Sequence, residues 1–512
     1  MVKRNYWQNI KETLLSNKVL ILTILFITVL SYGFTITNFS IGIDDPLREY
    51  YLYSRDWGSQ IQQGRITQVI LNYLTDAVDF IPFFTDFLGA CLFAVSALLF
   101  CGLLQYVTDN HFSTFSLAVF CCIYISYPIN ADKFIFQLDV ISATLSYCCC
   151  AISLVYSYMF VFEKHSVQSL VSAVLFLMIS IGSYETFLFL YFCGVFSIFL
   201  LRIVICNDKI SFTKLILKGM QFAAILVAST IFYYLAVTVL QIVTRQYGVF
   251  TRGNIFQLDF LTNGHLFSKF PTFVKTIYNR IHYFASEGHT ALQIFEIITV
   301  LGAFLFLYLA IRKKNPWVIL CFIGLFAGNL LLFLVSAFDT RMCQSFCFYI
   351  AFVILILLQQ VSPKGFLYKI ACILIASLII RQAATINQVF YTDYKRYQQE
   401  AFTIHSIASE LIAEYDITKT VVFTNTPDYR YLESLYLPQT GTNVGRSMIY
   451  WASEDDMQSA FRDMFKMHGY TFLRKPTAEE YELALQESED MPSWPNKDAI
   501  RELDNIIIVN LG

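Results

Sequence analysis

Apolar runs separated by short charged connections dominate the chain as far as residue 384. A helix needs about 20 apolar residues to cross a bilayer, and the runs predict about eleven such spans. The first five lie near 19–39, 84–107, 112–128, 140–162 and 168–183. Three more lie near 186–205, 215–243 and 291–311, and the last three near 317–338, 343–361 and 365–383. Lys and Arg then set the orientation. Odd-numbered spans begin beside Lys3, Arg4, Lys11 and Lys18, beside Lys164, beside Lys209 and Lys214, beside Arg312, Lys313 and Lys314, and beside Lys364 and Lys369. By the positive-inside rule these connections and the N-terminus face the cytoplasm. The first run is too long for a cleaved signal peptide and has no small-residue cleavage site behind it, so it is expected to remain as the first span.

The opposite side then carries the 40–83 segment, the Tyr127–Asp139 loop, the turn at Ser183–Thr186, the 244–290 loop and the turn at Phe338–Cys343. The stretch 66–83 has helical spacing with Asp76 and Asp79 on its polar side, and the 244–290 loop mixes aromatic with basic residues. Both have the composition of elements that lie at a membrane surface. From residue 385 the chain turns polar. A helical run, Asn387 to Glu414, leads to a strand at Lys419–Asn425, helical patterns near 453–468 and 477–489, and a final strand at Asn505–Leu511. The expected architecture is an α-helical polytopic membrane domain, residues 1–384, followed by a small extracytoplasmic α/β domain, residues 385–512.

Composition agrees with the pattern. Of 512 residues 56% are apolar and only 14% charged, against about 25% charged in an ordinary soluble domain. The net charge of -2 and the lack of any basic cluster give no support to nucleic-acid binding. The 13 cysteines lie mostly inside apolar runs without metal-ligand spacing, and read as small buried residues. His265, His282 and His289 share one loop at irregular spacing and read as surface residues rather than ligands.

The candidate chemistry gathers on one side. Asp44, Asp45, Arg48, Arg65, Asp132, Lys133, Asp139, Glu185, Asp339 and Arg341 all fall at the outer ends of spans, from four separate loops. Charge near bilayer depth is costly unless paired or functional. A transporter places its charges near the midplane on broken helices; here the span middles are nearly free of charge. A carboxylate beside an apolar wall can take a proton from a hydroxyl, and Arg residues opposite can bind a phosphate and stabilise its charge as it leaves. Asp132 and Lys133 read as a local ion pair, and Glu400 with its charged neighbours as a solvated helix face.

Asp44-Asp45, Arg48, Trp57 and Gly64-Arg65 stand in a DD-x2-R... W... GR arrangement directly after the first span. This resembles the first outer loop of GT-C membrane glycosyltransferases, and within them the bacterial type II Gtr family of O-antigen glucosyltransferases. Tyr184-Glu185, Arg341 and the post-membrane helix FYTDYKRYQQE are weaker echoes. Ile66 stands where Pro is expected and Glu185 where Gln is expected. The resemblance implies an inverting glycosyltransferase of the bacterial plasma membrane. Its donor would be a polyprenyl-phosphate-linked hexose, glucose by the resemblance, and its acceptor a cell-surface polysaccharide or lipid-linked precursor. Asp44 or Asp45 would be the base, with the other orienting the acceptor or binding a divalent cation. Arg65, Arg341 and Arg48 would bind the donor phosphate, and Trp57, Tyr184 and Glu185 the sugar or acceptor. The rivals are transfer of another group to teichoic acid or capsule, and a lipid or polysaccharide flippase.

Overall fold

Inside a bilayer each backbone N–H and C=O must be bonded within its own segment, so apolar runs resolve as helices. The computed structural model describes residues 6–11, 17–40, 58–75, 82–136, 139–163, 165–246, 266–286, 289–331, 342–363, 365–425, 449 and 457–512. The helices are α1 (Lys18–Thr37), α2 (Ile66–Thr75), α3 (Pro82–Val107), α4 (Thr114–Ser126), α5 (Ala131–Ile135), α6 (Val140–Tyr158), α7 (Val167–Ile181) and α8 (Phe187–Val204). They continue with α9 (Phe212–Thr244), α10 (Leu266–Ser286), α11 (Thr290–Lys313), α12 (Trp317–Leu330), α13 (Ser345–Gln359) and α14 (Phe366–Glu414). Every expected apolar segment coincides with one of them. Among the described residues seven helices are long and apolar enough to cross a membrane, or eight with the bent pair α4–α5. The helices α7, α12 and α13 are apolar but shorter.

The pair α4–α5 departs from the expected straight span and exposed loop. Pro128 has no N–H to continue the ladder, and the chain turns by 45° there through a 3-10 turn, Pro128–Asn130, into α5. This segment is buried, not a surface loop: Tyr127 to Phe136 are all covered by neighbouring helices. Rings from α3, α4, α6 and α13 fill the space around it, with Phe93–Tyr124 centroids 5.0 Å apart and Phe100–Phe348 4.9 Å apart. The bundle's outer faces are apolar instead of polar. Leu22, Phe26 and Val29 of α1, and Ile373, Leu374 and Ile380 of α14, are all exposed, as a lipid-facing surface requires.

At about 1.5 Å per residue, the 49 residues of α14 run about twice the 30 Å of a hydrocarbon core. The far end therefore stands clear of the bundle. There Ile404, Ile407, Ala408 and Leu411, at spacings of three and four, form one buried face. It packs on a three-stranded sheet of order β1-β3-β2, made of β1 (Thr420–Thr424), β2 (Ile500–Glu502) and β3 (Ile506–Asn510). The central strand β3 runs parallel to β1, with Val422 opposite Ile508, and antiparallel to β2, with Arg501 opposite Ile508. Every residue of β3 is buried. Ile507 and Val509 face α14 and α15 (Met457–Met467), while Ile506 and Ile508 face α16 (Ala478–Glu487). A continuous apolar strand is what cover on both faces demands.

Glu400 corrects an expectation. It is 2% exposed, and its Oε2 accepts a bond of 2.6 Å from Arg396 Nη1. Arg396 Nη2 lies 3.0 Å from Asp393 Oδ1, and Ser40 donates to Asp393 Oδ2 at 2.6 Å. The face read as solvated is covered, because the chain leaving α1 returns against α14 at this level.

Candidate functional site

The sequence pair Gly64-Arg65 has a geometric reason. A short helix, Gly58–Gln62, ends in a Schellman turn, with Arg65 N–H donating to Gln60 O at 2.9 Å and Gly64 N–H to Ile61 O at 3.0 Å. Gly64 sits at φ +75°, where a side chain would be strained. The turn reverses the chain and starts α2 one residue past Arg65. Tyr233 of α9 fastens the turn by donating to Gly64 O at 3.0 Å. On its other side Thr67 N–H donates to Gly182 O at 2.9 Å. A Cβ on Gly182 would lie 2.7 Å from Thr67 Oγ1, so the close approach of α2 to the end of α7 depends on that glycine.

Arg65 is thereby aimed into the bundle. Its Nη1 donates to Asp139 Oδ1 at 3.2 Å and to Gln68 Oε1 at 3.4 Å. Gln68 Nε2 donates to the same Asp139 oxygen at 2.7 Å. Gln68 is three residues on from Arg65 and shares its helix face. The guanidinium carbon lies 5.1 Å from the centre of the Tyr184 ring, and Lys133 Nζ of α5 lies 3.9 Å from it. Two cations therefore lie over one aromatic ring, which attracts each of them. Lys133, read from sequence as the local partner of Asp132 on the same outer face, belongs to this cluster through its contact with Tyr184.

Glu185, next to Tyr184, accepts from Tyr233 at 3.4 Å. The same hydroxyl serves Gly64 O, so its single proton is shared between the loop and the carboxylate. Behind them the kink is bolted down. Tyr147 donates to Asn130 Oδ1 and to Gln344 O, each at 3.3 Å, and Thr186 bonds Gln344 Oε1. These contacts join the segment after α4 to α6 and to the starts of α8 and α13.

An apolar groove opens beside the cluster. Its volume is about 810 Å³, and Ile66, Ile70, Val174, Met178, Ala236 and Leu240 line it from α2, α7 and α9. Its rim residue Ile66 follows Arg65 directly in the chain.

Of the expected site residues, the structure brings together Arg65, Tyr184 and Glu185, and adds Gln68, Lys133, Asp139 and Tyr233. Gln68 and Tyr233 are uncharged members of apolar helices, which hid them. Asp44, Asp45, Arg48, Trp57 and Arg341 lie outside the described residues, as do Asp76, Asp79 and Asp339. The segment bearing the twin aspartates starts one residue after Ser40 and ends where the Gly58 helix begins. Among the described residues no group of three or more His, Cys, Asp or Glu is placed to hold a metal ion. His282 is exposed and 3.2 Å from Glu296, whereas His289 is buried, contrary to its reading as a surface residue.

None of the curated proteins compared matches the chain, and none of the solved structures does. The sequence model of the family described as Glucosyl transferase GtrII matches residues 33–358, from the last turn of α1 to the end of α13. The match takes in the whole Arg65–Lys133–Asp139–Tyr184 cluster and well over half of the chain, so this membrane protein belongs to the GtrII glucosyl transferase family and is a glycosyltransferase.

Proposed function

We propose that the protein transfers glucose from a polyprenyl-phosphate donor to a saccharide acceptor at the exoplasmic face of a bacterial plasma membrane, inverting the anomeric centre. One observation carries the reading: Arg65, one of two cations over the Tyr184 ring, is followed directly by Ile66, which lines an apolar groove of lipid size. A ligand that is at once a phosphate and a long hydrocarbon fits both halves. A free nucleotide sugar would use only one.

In this reading the prenyl chain lies between α2, α7 and α9, and the phosphate meets the Arg65 fork and the Lys133 ammonium. A guanidinium presents its N–H donors as a planar fork that matches two phosphate oxygens. Asp44 or Asp45 removes the proton from the acceptor hydroxyl. The oxygen attacks C1 of the sugar from the face opposite the phosphate, the C1–O bond to phosphate breaks, and the charge gained by the leaving polyprenyl phosphate is stabilised by the two cations. Arg48 and Arg341 are proposed to assist at the phosphate, and Trp57, Tyr184 and Glu185 to pack against the sugars. The second aspartate would orient the acceptor or hold a divalent cation.

The test is transfer of radiolabelled glucose from polyprenyl-phosphate glucose to cell-envelope polysaccharide by membranes containing the full chain. Wild type is expected to label the polymer. Of Asp44→Asn and Asp45→Asn, one should lose about 10²–10⁴-fold in rate, the range for a general base, and the other far less. Labelled lipid crossing the bilayer without label entering polymer would instead establish a flippase.

A further inference from the structure

The lipid-facing stripe of α14 does not end where the helix leaves the membrane; its chemistry changes instead. At 3.6 residues per turn, Tyr391, Tyr394, Gln398, Phe402 and His405 continue the face that carries Ile373 and Ile380, opposite the buried Asp393, Arg396 and Glu400. A hydrocarbon core of about 30 Å takes about 20 residues of helix. Counted from Phe366, Tyr391 therefore stands at the headgroup layer, where such rings serve as anchors. Phe402 stands about 24 Å past the hydrocarbon edge, against a headgroup layer of about 5–8 Å, and is 72% exposed. Membrane anchoring accounts for the first ring and gives no reason for the later ones.

These side chains are held in place. Lys395 Nζ donates to Gln398 Oε1 at 3.1 Å, and Gln398 Nε2 donates to Tyr394 Oη at 2.6 Å. The Tyr394 ring meets Phe34 of α1 edge-on, with centroids 5.9 Å apart. Farther out, His405 Nδ1 and the hydroxyl of Tyr470, just past α15, are bonded at 2.8 Å. The His405 ring packs on His468 at 5.1 Å, and His468 stacks on Tyr397 at 5.8 Å. A surface fixed in advance loses little freedom when a ligand arrives.

We infer that this face of α14, from Tyr394 to His405 with Tyr470 beside it, is a saccharide-binding surface that holds the acceptor chain outside the membrane. An aromatic face is electron-rich and receives the C–H side of a sugar ring. The phenol, amide and imidazole groups between the rings exchange hydrogen bonds with sugar hydroxyls. The face runs straight for about 16 Å, which suits several linked sugars better than one. It starts against Phe34 of α1, the helix that leads in sequence to Asp44 and Asp45. The substrate class rests on the glucosyl-transfer reading; the exposure of the rings does not.

The test measures equilibrium binding of fluorescein-labelled maltohexaose, isomaltohexaose and chitohexaose to the full chain in lipid nanodiscs without donor lipid. Wild type should bind at least one of them. Its Kd should rise at least tenfold in Phe402→Ser and in His405→Ala, while Phe402→Trp, which keeps a ring, binds as wild type does. Because Phe402 is so exposed, Phe402→Ser should melt within a degree or two of wild type, which ties the loss to contact. A wild type that binds none of the three sugars, or serine and alanine variants that bind as tightly as wild type, would overturn the proposal. Phe402→Cys chains that crosslink in pairs, with no sugar able to compete, would give the face to a second copy and overturn it too. Transfer is not read here, so failure of binding and failure of the transfer reaction are separate results.

Discussion

Two guanidinium–carboxylate clusters differ in how far they are closed off. Arg65 pairs with Asp139, with side chains 12% and 9% exposed, and shares Tyr184 with a second cation. Arg396 faces two carboxylates, Asp393 and Glu400, and all three side chains are 2% exposed. Burial pulls the Arg396 guanidinium down, but Asp393 and Glu400 pull it up further, and it stays above its ordinary range. The sealed cluster has every reason to stay as it is. The other is less closely sealed, shares its aromatic ring with a second cation and lies one residue from the lining of an apolar groove; on the proposed function it would meet an incoming phosphate. The difference teaches that ion pairs of similar length are told apart by access.

That contrast can be broken most severely at Arg396. Arg396→Leu leaves two buried carboxylates without their cation and should destabilise the folded chain by about 3–5 kcal/mol, read as a lowered Tm in detergent. Replacing Asp393, Arg396 and Glu400 together by apolar residues should recover most of the loss; equal damage in both would show that the charges are not what the cluster depends on. Arg65→Ala should show the reverse balance. Transfer should fall about 10²–10³-fold, the cost of removing a donor aimed at developing charge, while the stability loss stays smaller because Gln68 still donates to Asp139. Arg65→Lys should recover only part, since an ammonium lacks the planar fork.

A smaller effect is expected at Gly64, whose φ of +75° places a substituted residue in the left-handed region at about 1–2 kcal/mol. Gly64→Ala should lower both Tm and transfer, and an unchanged Tm would remove the turn from the account. Smallest is the response of His289 to acid. Its folded imidazole titrates near 4 against an ordinary 6.5, so the unfolded chain binds the extra proton across that window. Stability should therefore fall as pH drops from about 6.5 toward 4, and His289→Leu should flatten this part of the Tm profile.

The helices were legible because the bilayer leaves apolar runs one outcome, and each expected segment found its helix. Strands β1 and β3 were legible for a related reason, as short β-branched runs that need cover. The three residues of β2, Ile-Arg-Glu, carry no such signal and pair only because β3 lies alongside. Pro128 marked a break, yet nothing local told that the residues after it would be buried. Asp393, Arg396 and Glu400 have the spacing of an exposed salt-bridged helix, and only the returning chain at Ser40 reveals their cover. At the candidate site, Arg65, Tyr184 and Glu185 were named in advance through their motifs. Gln68 and Tyr233 were not, because one polar atom on an apolar helix looks alike whether it meets a partner or lipid.

Donor position separates the proposed function from its rivals most directly. A photoreactive polyprenyl phosphate, crosslinked to the full chain in nanodiscs and mapped by mass spectrometry, reads that directly. The expected adducts fall on the groove between α2, α7 and α9, at residues such as Ile70, Val174 and Ala236, and are lost with Arg65→Ala. Adducts concentrated instead in the apolar cavity between α8, α9 and α12, around Phe196 and Leu320, and unchanged by Arg65→Ala, would contradict it.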